Sequence, residues 1–402
     1  VSSGLAAGIA RADVLVLGAS YLGAEVVHLL RRRAPGLSVT VVDRQRNHGY
    51  IPLVHERLVG RLDWSSSVLR TAEFVERKGA RFVHAEVASL DPRAKEVALA
   101  DGRRLRARFV VVALGSVTSP PDTLPGRAYL LGHKLEAETD AARAAVLHVL
   151  GPEGPPEPRA VVVGAGISGV ELAAELAHLA RARPHGWRAP RVTLIDAGPR
   201  VVPHLSQRAS AAVQARLLRQ GVVLRLGTLV VAAERGMVRV RGPHGKHDSL
   251  PADLAFWCGG VRPAPVLGSL GLPRTRSGFL RVSPELLCEP FGPDVMAGGD
   301  CARVVDEARA EWPTMQRTIE ALWAADTISD NIARLAKEKP GYPRGVPRLR
   351  RHGLRPDFFH GLSIGRDSLV VRGDSVLDLG PLNVAFRRFL MWGYFRRYAQ
   401  WT

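Results

Sequence analysis

The chain reads as an α/β protein of two Rossmann-like units, the second inserted in the first, and three observations predict it. Two glycine fingerprints, Gly18-Ala19-Ser20-Tyr21-Leu22-Gly23 and Gly164-Ala165-Gly166-Ile167-Ser168-Gly169, start 146 residues apart. Each is wedged between a short apolar run and a segment of helical pattern. A further run ending in small residues and an acid, Asp294-Val295-Met296-Ala297-Gly298-Gly299-Asp300, follows the second unit and reads as a strand of the first.

In the first unit, Val14-Leu15-Val16-Leu17 has the unbroken apolar character of a parallel strand covered on both faces. Gly18 permits a tight turn, and the segment from Gly23 to Leu30 reads as a helix whose N-terminal amides and positive dipole end suit a pyrophosphate. Leu37 to Val42 is the next strand. It closes at Asp43, 20 residues beyond Gly23, where an acid accepts hydrogen bonds from an adenosine ribose. Ser20 stands where a second glycine normally lets backbone approach phosphate; it is small, and its hydroxyl is a donor. The plain alternative is a tight strand-to-helix turn with no ligand.

Gly151-Pro152-Glu153-Gly154-Pro155-Pro156-Glu157-Pro158 cannot continue a helix and reads as a surface linker. After it the layout repeats: strand Ala160–Val163, the glycines, helix Val170–Leu179, then strand Val192–Ile195 ending in Asp196. The expected division is residues 11–133 with 275–335 for the first domain, 134–274 for the inserted one and 336–402 for a C-terminal region.

The formal charge is +18. An excess of that size favours an anionic neighbour, and a membrane surface fits better than nucleic acid, because few aromatics interleave with the basic runs and no nucleic-acid module is recognisable. No apolar run reaches the ~18 residues of a membrane-crossing helix. Val1 to Ile9 lacks the basic start and long apolar stretch of a secretory leader. Cys258, Cys288 and Cys301 have neither disulfide-framework nor metal-ligand spacing, so no metal site is expected and a reducing cytoplasm fits.

These motifs together resemble the two-dinucleotide-binding flavoproteins, and most of all the type II NADH dehydrogenases, which are membrane-bound NADH:quinone oxidoreductases. Nearly the whole chain takes part. Val42-Asp43-Arg44, Asn47-His48 and Pro52-Leu53 resemble the stretch from the ribose-binding acid to the flavin-side loop. Val163 to Ala177, with Glu171, resembles the second fingerprint; Leu194 to Val201 the nicotinamide-side strand; and Trp257 to Arg262, with Gly260, the domain crossover. Gly299-Asp300 is similar to the pair that holds the ribityl and pyrophosphate part of FAD.

The resemblance implies FAD in the first unit, against Gly18, Ser20, Gly23, Asp43, Arg44, His48, Pro52, Ala113, Gly115, Gly260, Gly299 and Asp300. It implies NADH in the second, against Gly164, Gly166, Gly169 and Asp196. Asp196 suits a free ribose diol and repels a 2′-phosphate, which favours NADH over NADPH; Arg200 nearby leaves NADPH open. Glu171 either tunes hydride transfer or proton supply beside the nicotinamide, or is an acid favoured by the helix N-terminus. Among the histidines, His28 and His55 read as packing or surface residues.

In the family, a helix after the Gly-Asp pair carries two glutamines one turn apart beside the quinone. Here Thr314 to Leu322 supplies Gln316, then Glu320 in place of the second, with Leu322 where glycine is preferred. Ala113-Leu114-Gly115 also departs from the usual Ala-Thr-Gly. The expected activity is FAD-dependent, non-proton-pumping NADH:quinone reduction on the inner face of the cell membrane. The alternatives are reduction of a soluble quinone-like metabolite or redox protein, and a nucleotide sensor without turnover. Disulfide reductases and sulfide:quinone oxidoreductases need redox cysteines early in the chain, and none precedes Cys258.

Gly380 to Thr402 carries Leu382, Phe386, Phe389, Leu390, Trp392, Tyr394, Phe395, Tyr398 and Trp401 among Arg387, Arg388, Arg396 and Arg397. A helical wheel puts Leu382, Ala385, Phe386 and Phe389 on one face with Arg387 and Arg388 opposite. Two amphipathic pieces broken at Gly393 are expected to lie in a membrane interface. The alternative covers are the protein body and a second copy of the chain in a homodimer.

Overall fold

The computed structural model describes residues 9–118, 120–305, 314, 316–337, 348–355, 357–380 and 382–398. Its first sheet has the parallel strands Arg81–His84, Val39–Asp43, Ala10–Leu17 and Arg104–Val112 side by side, extended by the antiparallel strands Glu96–Leu99 and Val87–Asp91. Val14 to Leu17 lose almost all contact with solvent because helices cover the sheet, which is why the run carries no polar alternation. Strand Val295–Ala297 joins this sheet in parallel, Val295 opposite Val110. The late return to the first unit is therefore observed.

The second sheet is parallel throughout: Val223–Arg225, Arg191–Ile195, Arg159–Val163 and Leu254–Trp257. Between them runs the linker at 151–158, without regular structure. The chain leaves this unit earlier than residue 275. Val261–Pro263 already pairs antiparallel with Ser116–Thr118, and Leu267 and Leu270 are buried in the first unit's core. Helix Glu136–Leu150, by contrast, buries Ala142, Val146 and Leu150 in the second.

After helix Thr318–Ala336 comes a three-stranded antiparallel sheet, His360–Ile364, Asp367–Arg372 and Ser375–Asp378. The C-terminal helix Leu382–Arg397 follows. It runs through Gly393 without a break, contrary to expectation. Glycine costs a helix interior about 1 kcal/mol, and burial of the adjoining Met391, Tyr394 and Phe395 on the body outweighs that. Trp401 lies outside the described residues.

Candidate functional site

The two fingerprints fold into the same turn for the same steric reason. Gly18 and Gly164 adopt φ +100° and +102°, and a Cβ on either would sit 2.3 Å from the Ala113 carbonyl oxygen or 2.5 Å from that of Cys258. Gly23 and Gly169 pass so close to the first glycine that a Cβ would meet its carbonyl oxygen at 1.9 and 1.8 Å. The middle position is different. A Cβ on Gly166 meets nothing within 4 Å, so Ser20 at the equivalent place in the first turn costs no packing.

Each turn is braced by the acid after its second strand. Asp43 Oδ2 accepts from Ala19 N at 2.6 Å and Oδ1 from Gln45 N at 2.7 Å. Asp196 repeats this with Ala165 N at 2.6 Å and Gly198 N at 2.7 Å. Burial raises the Asp43 carboxyl above the usual range, against these two bonds. The acids thus fix the loop backbone as well as closing their strands, and each retains lone pairs for a further donor.

Between the turns lies one cavity of about 660 Å³. Of the expected residues, Gly18, Ser20, Asp43, Arg44, His48, Ala113, Gly115, Gly166, Gly260, Gly299, Asp300 and Gln316 line it. Gly23, Gly164, Gly169 and Asp196 shape the turns from outside the wall. Pro52 lies outside it as well, its carbonyl accepting from Arg387 at 2.5 Å.

Two expected catalytic carboxylates face elsewhere. Glu171 is buried against the C-terminal region, where Oε1 accepts from Ser363 N at 2.9 Å and Arg387 Nη1 at 2.6 Å. Burial raises its carboxyl and Arg387 opposes the rise. Glu320 turns from the cavity to His352 Nε2 at 2.7 Å. The expected pairing of Gln316 and Glu320 on one helical face also fails, because the helix starts at Thr318. Gln316 precedes it and donates through Nε2 to the Asp300 carbonyl at 3.3 Å; Met315 lies outside the described residues.

Lys134, Ser116 and Thr71 join the site with no local sequence pattern to mark them. Asp300 Oδ2 pairs with Lys134 Nζ at 2.7 Å and accepts from Ser116 Oγ at 2.9 Å. His48 bridges Thr71 Oγ1 at 3.0 Å and Tyr394 OH at 2.9 Å, and burial lowers it to about 3, so it stays neutral. Tyr394 belongs to the C-terminal helix, which also reaches the body through Arg388 to Glu56 at 2.7 Å and Arg397 to Glu25. Burial pushes Cys258 up to about 12 and Cys301 to about 11, keeping both as inert thiols. Among the described residues no cluster of His, Cys, Asp or Glu is set to hold a metal.

The arrangement is therefore two anion-accepting helix N-termini opening onto one cavity. Residues 12–325 match the family model for pyridine nucleotide-disulphide oxidoreductases. The chain is 32% identical over 254 residues to an NADH dehydrogenase-like protein of Mycobacterium tuberculosis, covering 61% of each chain, so only about three fifths of that relative is spanned. It is 24% identical to the type II NADH:quinone oxidoreductase of Staphylococcus saprophyticus, over 94% of this chain and 98% of that one. In three dimensions it is similar to NDH2 of Plasmodium falciparum, with a TM-score of 0.80 and 13% identity over 96% of both chains, which shows the shared fold. The chain belongs to the pyridine nucleotide-disulphide oxidoreductase family and resembles the type II NADH:quinone oxidoreductases within it.

Proposed function

We propose that this chain oxidises NADH and reduces a quinone, with FAD as its resident cofactor. The observation that carries the reading is the shared cavity onto which both fingerprint turns open. The first turn fits the pyrophosphate of FAD: Gly18, Ser20 and Asp43 line the cavity together with Asp300, and helix Tyr21–Arg33 begins there. When bound, FAD takes a hydride from NADH and passes two electrons to the acceptor.

The protein's part is orientation. Lys134 and Ser116 hold the Asp300 carboxylate in place; Gln316 ties the chain before helix Thr318–Ala336 to the Asp300 backbone; neutral His48 closes the wall with Tyr394. The second turn holds NADH. Arg200 spends its guanidinium on the Leu205 carbonyl at 2.8 Å and on that of Pro203, which removes the expected partner of a 2′-phosphate and supports NADH over NADPH.

We place the protein on the inner face of the cell membrane. The C-terminal helix buries one face on the body and leaves Leu382, Phe386, Phe389, Leu390 and Trp392 outside, with Leu382 75% and Phe389 58% exposed. No helix among the described residues is long and apolar enough to cross a membrane, and the reading has electron transfer without proton pumping. An apolar strip on a chain of +18 charge suits an anionic interface. Phe386→Ser with Phe389→Ser is expected to release the protein from anionic vesicles with the flavin intact; retained vesicle binding together with a halved mass would make the strip a homodimer face.

Anaerobic titration tests the activity. NADH is expected to bleach a yellow protein, and a short-chain quinone to restore the colour within a turnover time. Bleaching without reoxidation by quinone would favour the second reading, a soluble acceptor. That reading is motivated by Glu320, which turns to His352 instead of the cavity. A colourless protein unaffected by NADH would leave only a nucleotide sensor.

A further inference from the structure

At the end of the cavity where the second fingerprint helix begins, one cation keeps two donors unmatched among the described residues. Arg317, immediately before helix Thr318–Ala336, lines the cavity with His204, His360 and Ser168. Its Nη2 donates to the Arg355 carbonyl at 3.0 Å and lies 3.8 Å from Glu320 Oε2. Its Nε and Nη1 are buried and have no hydrogen-bond partner among the described residues. Leaving guanidinium donors buried and unmatched is unfavourable unless a ligand meets them.

Around Arg317 the surroundings are arranged for an anion. The His204 and His360 rings are 5.9 Å apart between centroids. Burial lowers both imidazoles first; Arg200 and then Arg317 add to this at His204, and Arg317 at His360, which falls to about 4. Near neutral pH they are uncharged, so they offer N–H donors without repelling the arginine. Helix Ile167–His178 adds its free N-terminal amides at Ser168 and the positive end of its dipole. A guanidinium presents paired donors that match phosphate oxygens.

We propose that Arg317, with His204 and His360, clamps the pyrophosphate of the dinucleotide held on the second fingerprint. This rests on the reading that the second unit binds NADH. Arg317 caps the start of helix Thr318–Ala336, which packs in the first domain, whereas the fingerprint belongs to the inserted domain. The clamp therefore joins the two domains across the coenzyme and sets its affinity from the acceptor side of the cavity.

The test is calorimetric binding of ADP-ribose, which carries the pyrophosphate without the nicotinamide, to the purified holoprotein and to Arg317→Met and Arg317→Lys. The expected result is a Kd raised at least tenfold in Arg317→Met and less in Arg317→Lys. The KM for NADH should rise in parallel, while kcat at saturating NADH and the quinone KM change less than twofold. An unchanged Kd in both folded variants, or an effect confined to the quinone KM, overturns the clamp. If Arg317→Met loses its thermal transition, Arg317→Lys decides alone. Absence of ADP-ribose and NADH binding by the unmodified protein would instead remove the coenzyme reading itself.

Discussion

Asp43 and Asp196 brace their turns through the same two bonds, at 2.6 and 2.7 Å, yet the turns sit in unlike surroundings. The first is walled by Tyr21, His48 and, behind them, Tyr50 and Tyr394, whose rings lie 5.1 to 6.5 Å apart. The second reaches the cavity only through Gly166, Ile167 and Ser168, with Asp196 outside. An enclosed turn suits a nucleotide that stays, an open one a nucleotide that comes and goes in each cycle. One local design is thus put to two uses by what the rest of the chain lays over it.

The largest effects break the comparison if it is wrong. In Gly23→Ala and Gly169→Ala the new methyl meets a backbone carbonyl at 1.9 or 1.8 Å, so helix and strand must part. Gly23→Ala is expected to purify without flavin. Gly169→Ala is expected to keep its flavin, read by absorbance, and to lose NADH bleaching about a hundredfold, roughly 2.7 kcal/mol of binding or barrier. Loss of flavin in Gly169→Ala would show that the two turns are not independent.

A smaller effect follows from the wall over the first turn. Burial holds His48 at about 3, and His133, which lines the same cavity next to Lys134, at about 4. Their folded pKa values lie below the unfolded one, so each contributes stability that is present above about pH 6.5 and is lost as pH falls towards 3 or 4. At pH 5 the loss is about 2 kcal/mol for each. The melting temperature, followed by flavin fluorescence, should therefore fall between pH 6.5 and 5, and His48→Gln should flatten that slope. An identical slope in His48→Gln would remove the wall from the account of flavin retention.

The sequence makes the turns legible because local sterics decide them: an apolar run, glycines where no Cβ fits, and an acid at the next strand end. It does not show where Glu171 and Glu320 point, because their partners Arg387 and His352 arrive from 216 and 32 residues away. Lys134, Tyr394 and Arg317 join the site for the same non-local reason, and no local pattern marks them. On the C-terminal helix the wheel correctly separates Leu382, Phe386 and Phe389 from Arg387 and Arg388. The expected break at Gly393 fails because tertiary packing overrides propensity. Tyr394, Phe395 and Tyr398 go into the body instead of an interface.

The smallest effect sharpens the comparison most closely, because it exchanges the residues at the middle glycine position of the two fingerprints, Ser20 and Gly166. The Ser20 side chain makes no capping bond to its own helix, and a Cβ at Gly166 enters open space. Neither Ser20→Gly nor Gly166→Ser should therefore shift the melting temperature of the flavin-loaded protein by more than about 0.5 °C, which corresponds to a few tenths of a kcal/mol in a chain of this size. Ligand affinity separates them. Ser20→Gly loses one hydroxyl donor to a resident pyrophosphate and should weaken flavin retention severalfold, about 1 kcal/mol. Gly166→Ser gains a donor but fills space beside an exchanging one, so NADH KM should change less than threefold in either direction. A Gly166→Ser protein that no longer released its coenzyme would show that the middle residue, not the surrounding wall, separates the resident nucleotide from the exchanging one.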